Sequence, residues 1–302
     1  MGSSQTALPA DYQGKINPAK TLYVTDLDGT LLRNDHTLNP QARERLNSLL
    51  AQGLQFTVAT ARSPISCNLA LHGLELRLPF IAGNGAFISD SAGRHQHLGR
   101  LDDPLARGLL GHLQERKALP FVSTHLDERD QLVYTDLITP GMQWYADDRI
   151  RHRDPRLVRH DDFKHAMTGQ VTCLTWIDAE RQIKDLAAEI REEYRGIRTT
   201  IMENLYVRGQ WWLTLVHPES TKSSGLANLI RLMQREQQYE HIVAFGDQAH
   251  DIDLLEAADF GVAVSNADPD VLNAADFVIG SNEQDAVVDF LELEWARLRQ
   301  DF

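Results

Sequence analysis

Cysteine is scarce: Cys67 and Cys173 are the only two in 302 residues. A disulfide framework needs more, and a chain of this length can bury enough core not to depend on one. Both thiols are expected to be buried or partly buried, because nothing around either would activate it as a nucleophile. Long apolar runs are missing as well. No stretch approaches the roughly 20 residues that span a bilayer, and the opening MGSSQTALPADYQGKINPAK lacks the apolar centre of a secretory signal. Residues 1–19 are therefore expected to form a flexible arm, with the cytoplasm as default location and no membrane partner. Positive charge is in deficit: 30 Lys plus Arg against 43 Asp plus Glu give a formal net charge of −13. Such a surface repels nucleic acid and anionic lipid, although a local basic pocket can still hold a small anion. There is no internal repeat and no low-complexity tract. With 42% hydrophobic and 24% charged residues, the chain has the composition of a folded globular protein.

What is present is an alternation of strand and helix signals. Residues 21–25 are β-prone and end at Asp26. Asn39 and Pro40 are a cap and first residue for a helix over 40–52 that Gly53 stops. Residues 54–59 read as a strand, Pro64 opens a helix closed by Gly73, and 79–82 read as a third strand. Between 87 and 216 the order is less regular. Strands are expected near 86–89, 132–136, 171–177, 199–202 and 211–216, and helices near 103–116 and 179–194. Hydrophilic loops separate them, among them the basic run 149–159. The alternation returns with a helix over 222–237, strands at 241–245, 260–264 and 276–279, and helices near 249–257, 269–274 and 284–299. The fold class this implies is α/β: a parallel, Rossmann-like sheet core over 20–86 and 217–302, interrupted by an inserted α+β domain over 87–216. In such sheets, sites form at the carboxyl ends of strands.

Four short motifs lie at those ends or at helix starts. In Thr25-Asp26-Leu27-Asp28-Gly29-Thr30, two carboxylates follow a hydrophobic strand. Desolvating them unpaired costs several kcal/mol, roughly, so a bound cation is the natural complement. A calcium loop is a poor match, because Thr30 and Thr37 stand where that loop needs oxygen-rich ligands and a Glu. In Ala59-Thr60-Ala61-Arg62, a hydroxyl and backbone N–H groups can grip a phosphate oxygen, although a strand-end Thr alone is a weak signal. Lys222 opens a helix against the macrodipole, which suggests an anion nearby; a solvated surface lysine is the plain alternative. In Gly246-Asp247-Gln248-Ala249-His250-Asp251, two acids lie four apart at a strand-to-helix turn, where capping acids are also ordinary. Taken together with Asp26 and Asp28, they suit a hard cation such as Mg²⁺.

In this order, the four motifs resemble the haloacid dehalogenase superfamily, and the position of the insert resembles its Cof-like, type IIB members. Ile81-Ala82-Gly83-Asn84-Gly85-Ala86, Gly261-Val262-Ala263-Val264-Ser265-Asn266-Ala267 and Ala274-Ala275-Asp276-Phe277-Val278 agree with that family's pattern. The resemblance covers roughly residues 20 to 298 and is weakest in the insert. Three positions depart from it. His250 replaces a usual Asn, Thr60-Ala61-Arg62 replaces the commoner Thr-Gly-Arg, and Ala286 replaces a usual Gly.

The resemblance implies a Mg²⁺-dependent phosphatase. Asp26 is the expected nucleophile and Asp28 the proton donor and acceptor, with its pKa raised in the bound complex. Mg²⁺ is expected on the Asp26 carboxylate, the Asp28 carbonyl and Asp247. Asp251 and His250 stand behind that shell. Thr60 and Lys222, with Leu27 and Ala61, are the phosphate-binding positions. Arg62 and Asn84 are the leading substrate contacts, and His125 and Glu203 of the insert are further candidates. Trp211 and Trp212 are expected to pack, one on each face of a strand. The expected substrate is a small phosphorylated metabolite, either a sugar phosphate or a phosphorylated cofactor. A phosphomutase and a homologue that binds without turnover are the alternatives, and the oligomeric state is left open.

Overall fold

The computed structural model describes Tyr12 and residues 16–204, 206–233 and 239–298. They fall into two compact units, one within 1–97 and 221–302, the other within 98–220. The sequence reading placed the borders at 86/87 and 216/217 instead. The difference lies chiefly in the segment after residue 86, whose strand Phe87–Ser89 pairs antiparallel with Phe80–Ala82 of the first unit.

The first unit is built on a parallel sheet. Its strands are β1 (Thr21–Thr25), β2 (Gln55–Val58), β12 (His241–Gly246), β13 (Phe260–Val264) and β14 (Phe277–Ile279), in the order β14-β13-β12-β1-β2. A small antiparallel sheet, β3 (Phe80–Ala82), β4 (Phe87–Ser89) and β5 (His95–Leu98), continues from it through a bridge between Ala59 and Ile81. The helices are α1 (Pro40–Ala51), α2 (Pro64–Ala70), α6 (Lys222–Met233), α7 (Ile252–Ala257), α8 (Pro269–Ala274) and α9 (Ala286–Arg297). Asn39 caps α1 from its side chain onto the Gln41 N–H, and Pro40 takes the first helical position, where a missing donor costs nothing. The expected helices over 222–237 and 284–299 extend into residues 234–237 and 299, which lie outside the described residues.

The second unit carries a six-stranded, mostly antiparallel sheet. It is made of β6 (Phe121–Leu126), β7 (Arg129–Tyr134), β8 (Leu157–Arg159), β9 (Gln170–Ala179), β10 (Arg198–Glu203) and β11 (Gln210–Val216), in the order β10-β11-β9-β6-β7-β8. Its helices are α3 (Asp103–Glu115), α4 (Pro140–Arg151) and α5 (Glu180–Glu193). Three of these elements, β6, α4 and β8, were not anticipated from the sequence. The basic run 149–159 is not a solvated loop: it begins in the last turn of α4 and ends in β8. Arg149 lies 4.7 Å over the Tyr145 ring, and buried Arg156 forks onto Asp154. Trp212 packs edge-on against Tyr145 of α4, while Trp211 lies under Lys184 of α5, as alternation along a strand requires.

Of the expected flexible arm, residues 1–11 and 13–15 lie outside the described residues, and Tyr12 is docked. Tyr12 is buried, and its ring meets Phe260, Phe277 and Phe290 edge-on at 4.9, 5.3 and 5.8 Å. Its hydroxyl donates to Glu294 at 2.9 Å, and Glu294, fully buried on α9, also accepts from Arg297 at 2.7 Å. Tyr12→Ala is expected to cost about 3–5 kcal/mol in urea unfolding, and Tyr12→Phe about 1–3 kcal/mol through the donor lost to Glu294. An alanine variant as stable as the parent would show that the arm does not dock in solution.

Candidate active site

Strand order places the site. The chain leaves β1 toward β2 on one side and returns to β12 on the other, so the crevice at the carboxyl ends of β1 and β12 is a topological switch point. Asp26 follows β1 and Asp247 follows β12. The two strand ends are tied by the Asp26 N–H, which donates to Phe245 O at 2.9 Å. Gly29, at φ +82°, brings the next turn so close that a methyl group there would collide with the Asp247 carboxylate. Thr30 donates to Asp247 Oδ1 at 2.8 Å. Gly85, at φ +93°, plays a matching part at the start of α6, since a side chain there would strike the backbone of Thr221. The close approach of that turn fixes where Lys222 begins.

Lys222 is buried and points into the acids. Its Nζ donates to Asp26 Oδ1 and to Asp251 Oδ1, each at 2.5 Å. Asp251 is completely buried, and its other oxygen accepts the N–H groups of Asp247 and Gln248 at 3.2 and 3.0 Å. The anion expected beside Lys222 is thus a pair of carboxylates belonging to the chain itself. Burial works against the charge on Lys222, but Asp26 and Asp251 outweigh it and hold the ammonium above its usual pKa. Asp26 moves up from the usual carboxylate range because burial, with the charges of Asp251 and Asp247, exceeds the pull of Lys222. Asp247 is pushed up to about 6, mainly by burial, against the Thr30 hydrogen bond.

Asp28 is half-buried and gripped from two sides. Arg62 sets Nε on Oδ2 at 2.7 Å and Nη2 on Oδ1 at 2.5 Å, while His36 Nδ1 lies 2.9 Å from Oδ1. Burial raises its pKa, but the Arg62 hydrogen bonds and charge, then those of His36, turn the balance and leave it below the usual range. The sequence places Arg62 on substrate and expects Asp28 to be raised in the bound complex. Here Arg62 is the partner of Asp28, and with that partner the shift is downward. His36 was not singled out at all, and it sits eight residues beyond Asp28 with no motif to mark it.

The remaining candidates gather around Thr60. Its N–H donates to Ile81 O at 2.9 Å, its hydroxyl accepts the Arg62 N–H at 3.1 Å, and its carbonyl accepts the Asn84 N–H at 2.9 Å. Asn84 is held left-handed, at φ +53°, with a buried Oδ1 that has no hydrogen-bond partner among the described residues. Leu27 has a buried side chain and Ala61 is exposed, so only their backbones are available to a ligand. His250 Nε2 lies 3.9 Å from Asp251 Oδ1, and burial, then the Lys222 charge, depress its pKa, favouring the neutral ring. His125 and Glu203 belong to the second unit, where His125 bonds Asp130 at 2.9 Å and Glu203 is exposed.

The acids fit a hard cation. Asp26, Asp247 and Asp251 bring three buried carboxylates to one lysine. Ligand atoms of Asp26, His250 and Asp251 lie within 4.8 Å of one another. That cluster is already met by the Lys222 ammonium, however, which bonds both of its carboxylates. Asp247 forms no ion pair among the described residues. An oxygen-rich pair whose charge burial opposes is what a divalent ion of the Mg²⁺ type neutralises.

An α/β sheet interrupted by a mixed domain, with paired acids and a buried lysine at its switch point, defines a hydrolase class. A family model for haloacid dehalogenase-like hydrolases matches residues 23–291, and the chain belongs to that family. The fold is shared with solved structures. TM0651 from Thermotoga maritima matches with TM-score 0.73 and 22% identity over 90% of this chain and 96% of that one. A haloacid dehalogenase-like hydrolase from Bacteroides thetaiotaomicron matches with TM-score 0.72 and 21% identity over 90% and 98%. Among curated relatives, a pyridoxal phosphate phosphatase of Escherichia coli is 28% identical over 277 residues, 88% of this chain and 95% of its own length. A 5-amino-6-(5-phospho-D-ribitylamino)uracil phosphatase of Bacillus subtilis is 26% identical over 282 residues, 90% and 96% of the two chains.

The electrostatics make a prediction with a definite sign. A carboxyl whose pKa is raised by folding binds more protons folded than unfolded, so its cost to stability appears as pH rises from its ordinary value through the raised one. For Asp247 that window runs from 3.8 to about 6. Asp247→Asn should therefore stabilise the chelator-treated protein at pH 7.5, on the order of 1–2 kcal/mol, with the gain fading toward pH 4. Thermal unfolding of both proteins across that range checks it, and a less stable Asn variant at pH 7.5 would refute the account.

Proposed function

We propose that the protein is a phosphoric monoester hydrolase acting on small phosphorylated metabolites, by metal-assisted transfer of the phosphoryl group to Asp26 and then to water. The observation that carries this is the Asp26 carboxylate, held by Lys222 at the carboxyl end of β1 beside Asp247, with a second carboxyl two residues on. Phosphoryl transfer spreads negative charge over three oxygens, so positioning and charge stabilisation do most of the catalytic work.

In the first step an Asp26 oxygen forms a bond to phosphorus in line with the departing ester oxygen. The P–O bond to the alcohol breaks, and Asp28 gives that oxygen a proton. In the second step Asp28 takes a proton from water, whose oxygen bonds phosphorus as the Asp26–phosphorus bond breaks. The sum is ester plus water to alcohol plus inorganic phosphate. The ionised Asp28 favoured by Arg62 suits the second step, and the first needs that grip to loosen as substrate enters. Lys222 and Thr60 hold phosphate oxygens, with the backbones of Leu27 and Ala61 beside them. Asn84, with its unpartnered buried oxygen, meets a substrate donor. Mg²⁺ on Asp26, the Asp28 carbonyl and Asp247 would supply charge neutralisation for the incoming phosphate, with Asp251 holding Lys222 and the turn behind it.

The relatives act, by name, on pyridoxal phosphate and on a phosphorylated ribitylaminouracil. Both are phosphorylated cofactors or cofactor precursors, which makes that class, with sugar phosphates, the first to screen. Release of inorganic phosphate, as opposed to an isomerised sugar phosphate, separates hydrolysis from mutase chemistry. Two outcomes are expected. Asp26→Asn lowers turnover roughly 10³-fold or more, because an amide is a poor nucleophile, and full activity in that variant would remove Asp26 from the role. Chelation abolishes phosphate release and Mg²⁺ restores it, while Mg²⁺ alone raises the melting temperature of the parent more than that of Asp247→Asn. Equal shifts in the two proteins would place the ion elsewhere.

A further inference from the structure

Asp28 has one neighbour that the chemistry above does not call for. The turn at Arg33–His36 closes with the His36 N–H on Arg33 O at 2.8 Å and the Arg33 N–H on Thr37 O at 3.0 Å. His36 sits left-handed at φ +62°, a conformation that costs a non-glycine residue about 1–2 kcal/mol. The turn is pinned from the carboxyl-terminal part of the chain. Arg33 forks onto Asp285 at 3.1 and 2.8 Å, the Asn34 N–H donates to Glu283 at 2.7 Å, and Asn282 Nδ2 donates to Leu32 O and Asn34 Oδ1, each at 3.0 Å. Leu32, Arg33 and Asn34, ahead of His36, are thus anchored, Leu32 and Asn34 through backbone groups and Arg33 through its guanidinium. The result of that anchoring is a ring nitrogen 2.9 Å from Asp28 Oδ1.

Stability does not account for this arrangement. The His36 side chain is 57% exposed and Asp28 34% exposed, and an ion pair so open to water contributes about 0–1 kcal/mol at most, no more than the backbone strain costs. We infer that His36 is a positioning residue for the proton transfer to the leaving group: it is a second partner for Asp28 Oδ1, an oxygen it shares with Arg62. The two partners differ in kind. Arg62 only donates, whereas an imidazole offers a donor or an acceptor according to tautomer and can meet a carboxylate or a carboxylic acid. When the Arg62 fork opens, His36 remains to hold the carboxyl aimed. This inference rests on the phosphatase reading given above.

The test compares His36→Gly with His36→Asn, because both residues tolerate the left-handed backbone and only Asn restores a hydrogen-bonding side chain. The readout is kcat/KM, which reports the first chemical step, on two probes in the Mg²⁺-loaded protein. One is p-nitrophenyl phosphate, whose phenolate departs without a proton; the other is the faster of glycerol 3-phosphate and ribose 5-phosphate, whose alkoxide needs one. His36→Gly should lose about 10- to 100-fold on the alkyl ester, a share of the 10²- to 10⁴-fold that general acid catalysis supplies. It should lose less than about threefold on the nitrophenyl ester. His36→Asn should recover most of the difference, with the melting temperature of both variants at or above that of the parent. Equal losses on the two esters, no loss on either, or no recovery with Asn would overturn the positioning role. A parent that releases phosphate from neither ester, nor from any phosphorylated metabolite of the screen above, would overturn the phosphatase reading, and this inference with it.

Discussion

The site depends on one buried cation. Lys222 reaches Asp26 and Asp251 together, and all three side chains are withdrawn from water. An ammonium or a carboxylate alone at that depth would cost several kcal/mol, roughly, and would change its protonation state before accepting it. As a set the groups support one another: Asp251 is fixed by backbone N–H groups of the β12 turn, Lys222 is fixed by Asp251, and Asp26 is fixed by Lys222. The sheet enforces the meeting, because β1 and β12 are adjacent and in register up to Thr25 and Phe245. One lysine cannot balance three carboxylates. The remaining charge rests on Asp247, which in the proposed mechanism receives a second cation and, through it, the phosphate.

How much of this was legible beforehand follows from what kind of physics each feature obeys. The parallel core was readable because its strands are short apolar runs that stop at Asp26, Thr60 and Asp247, each followed by a turn or helix signal. The conflict of a lysine with a helix N-terminus pointed to an anion, and two were found. The insert was less legible. The strand Phe121–Leu126 carries Ser123, Thr124 and His125, and Pro140–Arg151 has a polar composition with only a few buried positions, so neither shows a clean period. Their identity is set by pairing with β9 and packing on its faces, which no local window contains. The basic run 149–159 failed for a related reason. Charge does not imply exposure there: Arg156 is buried with its fork on Asp154, and half-buried Arg149 lies over a ring.

The acid–base residue shows the same limit at the site. A motif supplies Asp28 but not its environment. The two groups that set its charge state come from the turn after β2 and from an exposed turn held by Asn282, Glu283 and Asp285. Sequence spacing carries no sign of that second set, because the contacts span some 250 residues of chain and run through backbone groups. Tyr12 departs from the expected arm for a like reason: its polar, glycine- and serine-bearing surroundings give no sign of a ring that completes an aromatic cluster and a hydroxyl that meets a buried glutamate.

These observations bear on how one carboxyl can serve two opposite steps. An acid that gives a proton early and takes one late needs an environment that changes between the two, or its pKa will favour only one of them. Asp28 is biased toward the anion by the Arg62 guanidinium. In the proposed mechanism that is the state for activating water. There a dianionic phosphate entering beside Thr60 would compete for the same guanidinium, since Arg62 and Thr60 are joined through backbone and hydroxyl. Substrate entry would then weaken the bias at the moment when a protonated carboxyl is required. The exchange works only if the carboxyl does not swing away when released, and the pinned turn that carries His36 gives the fold a fixed point at which to hold it.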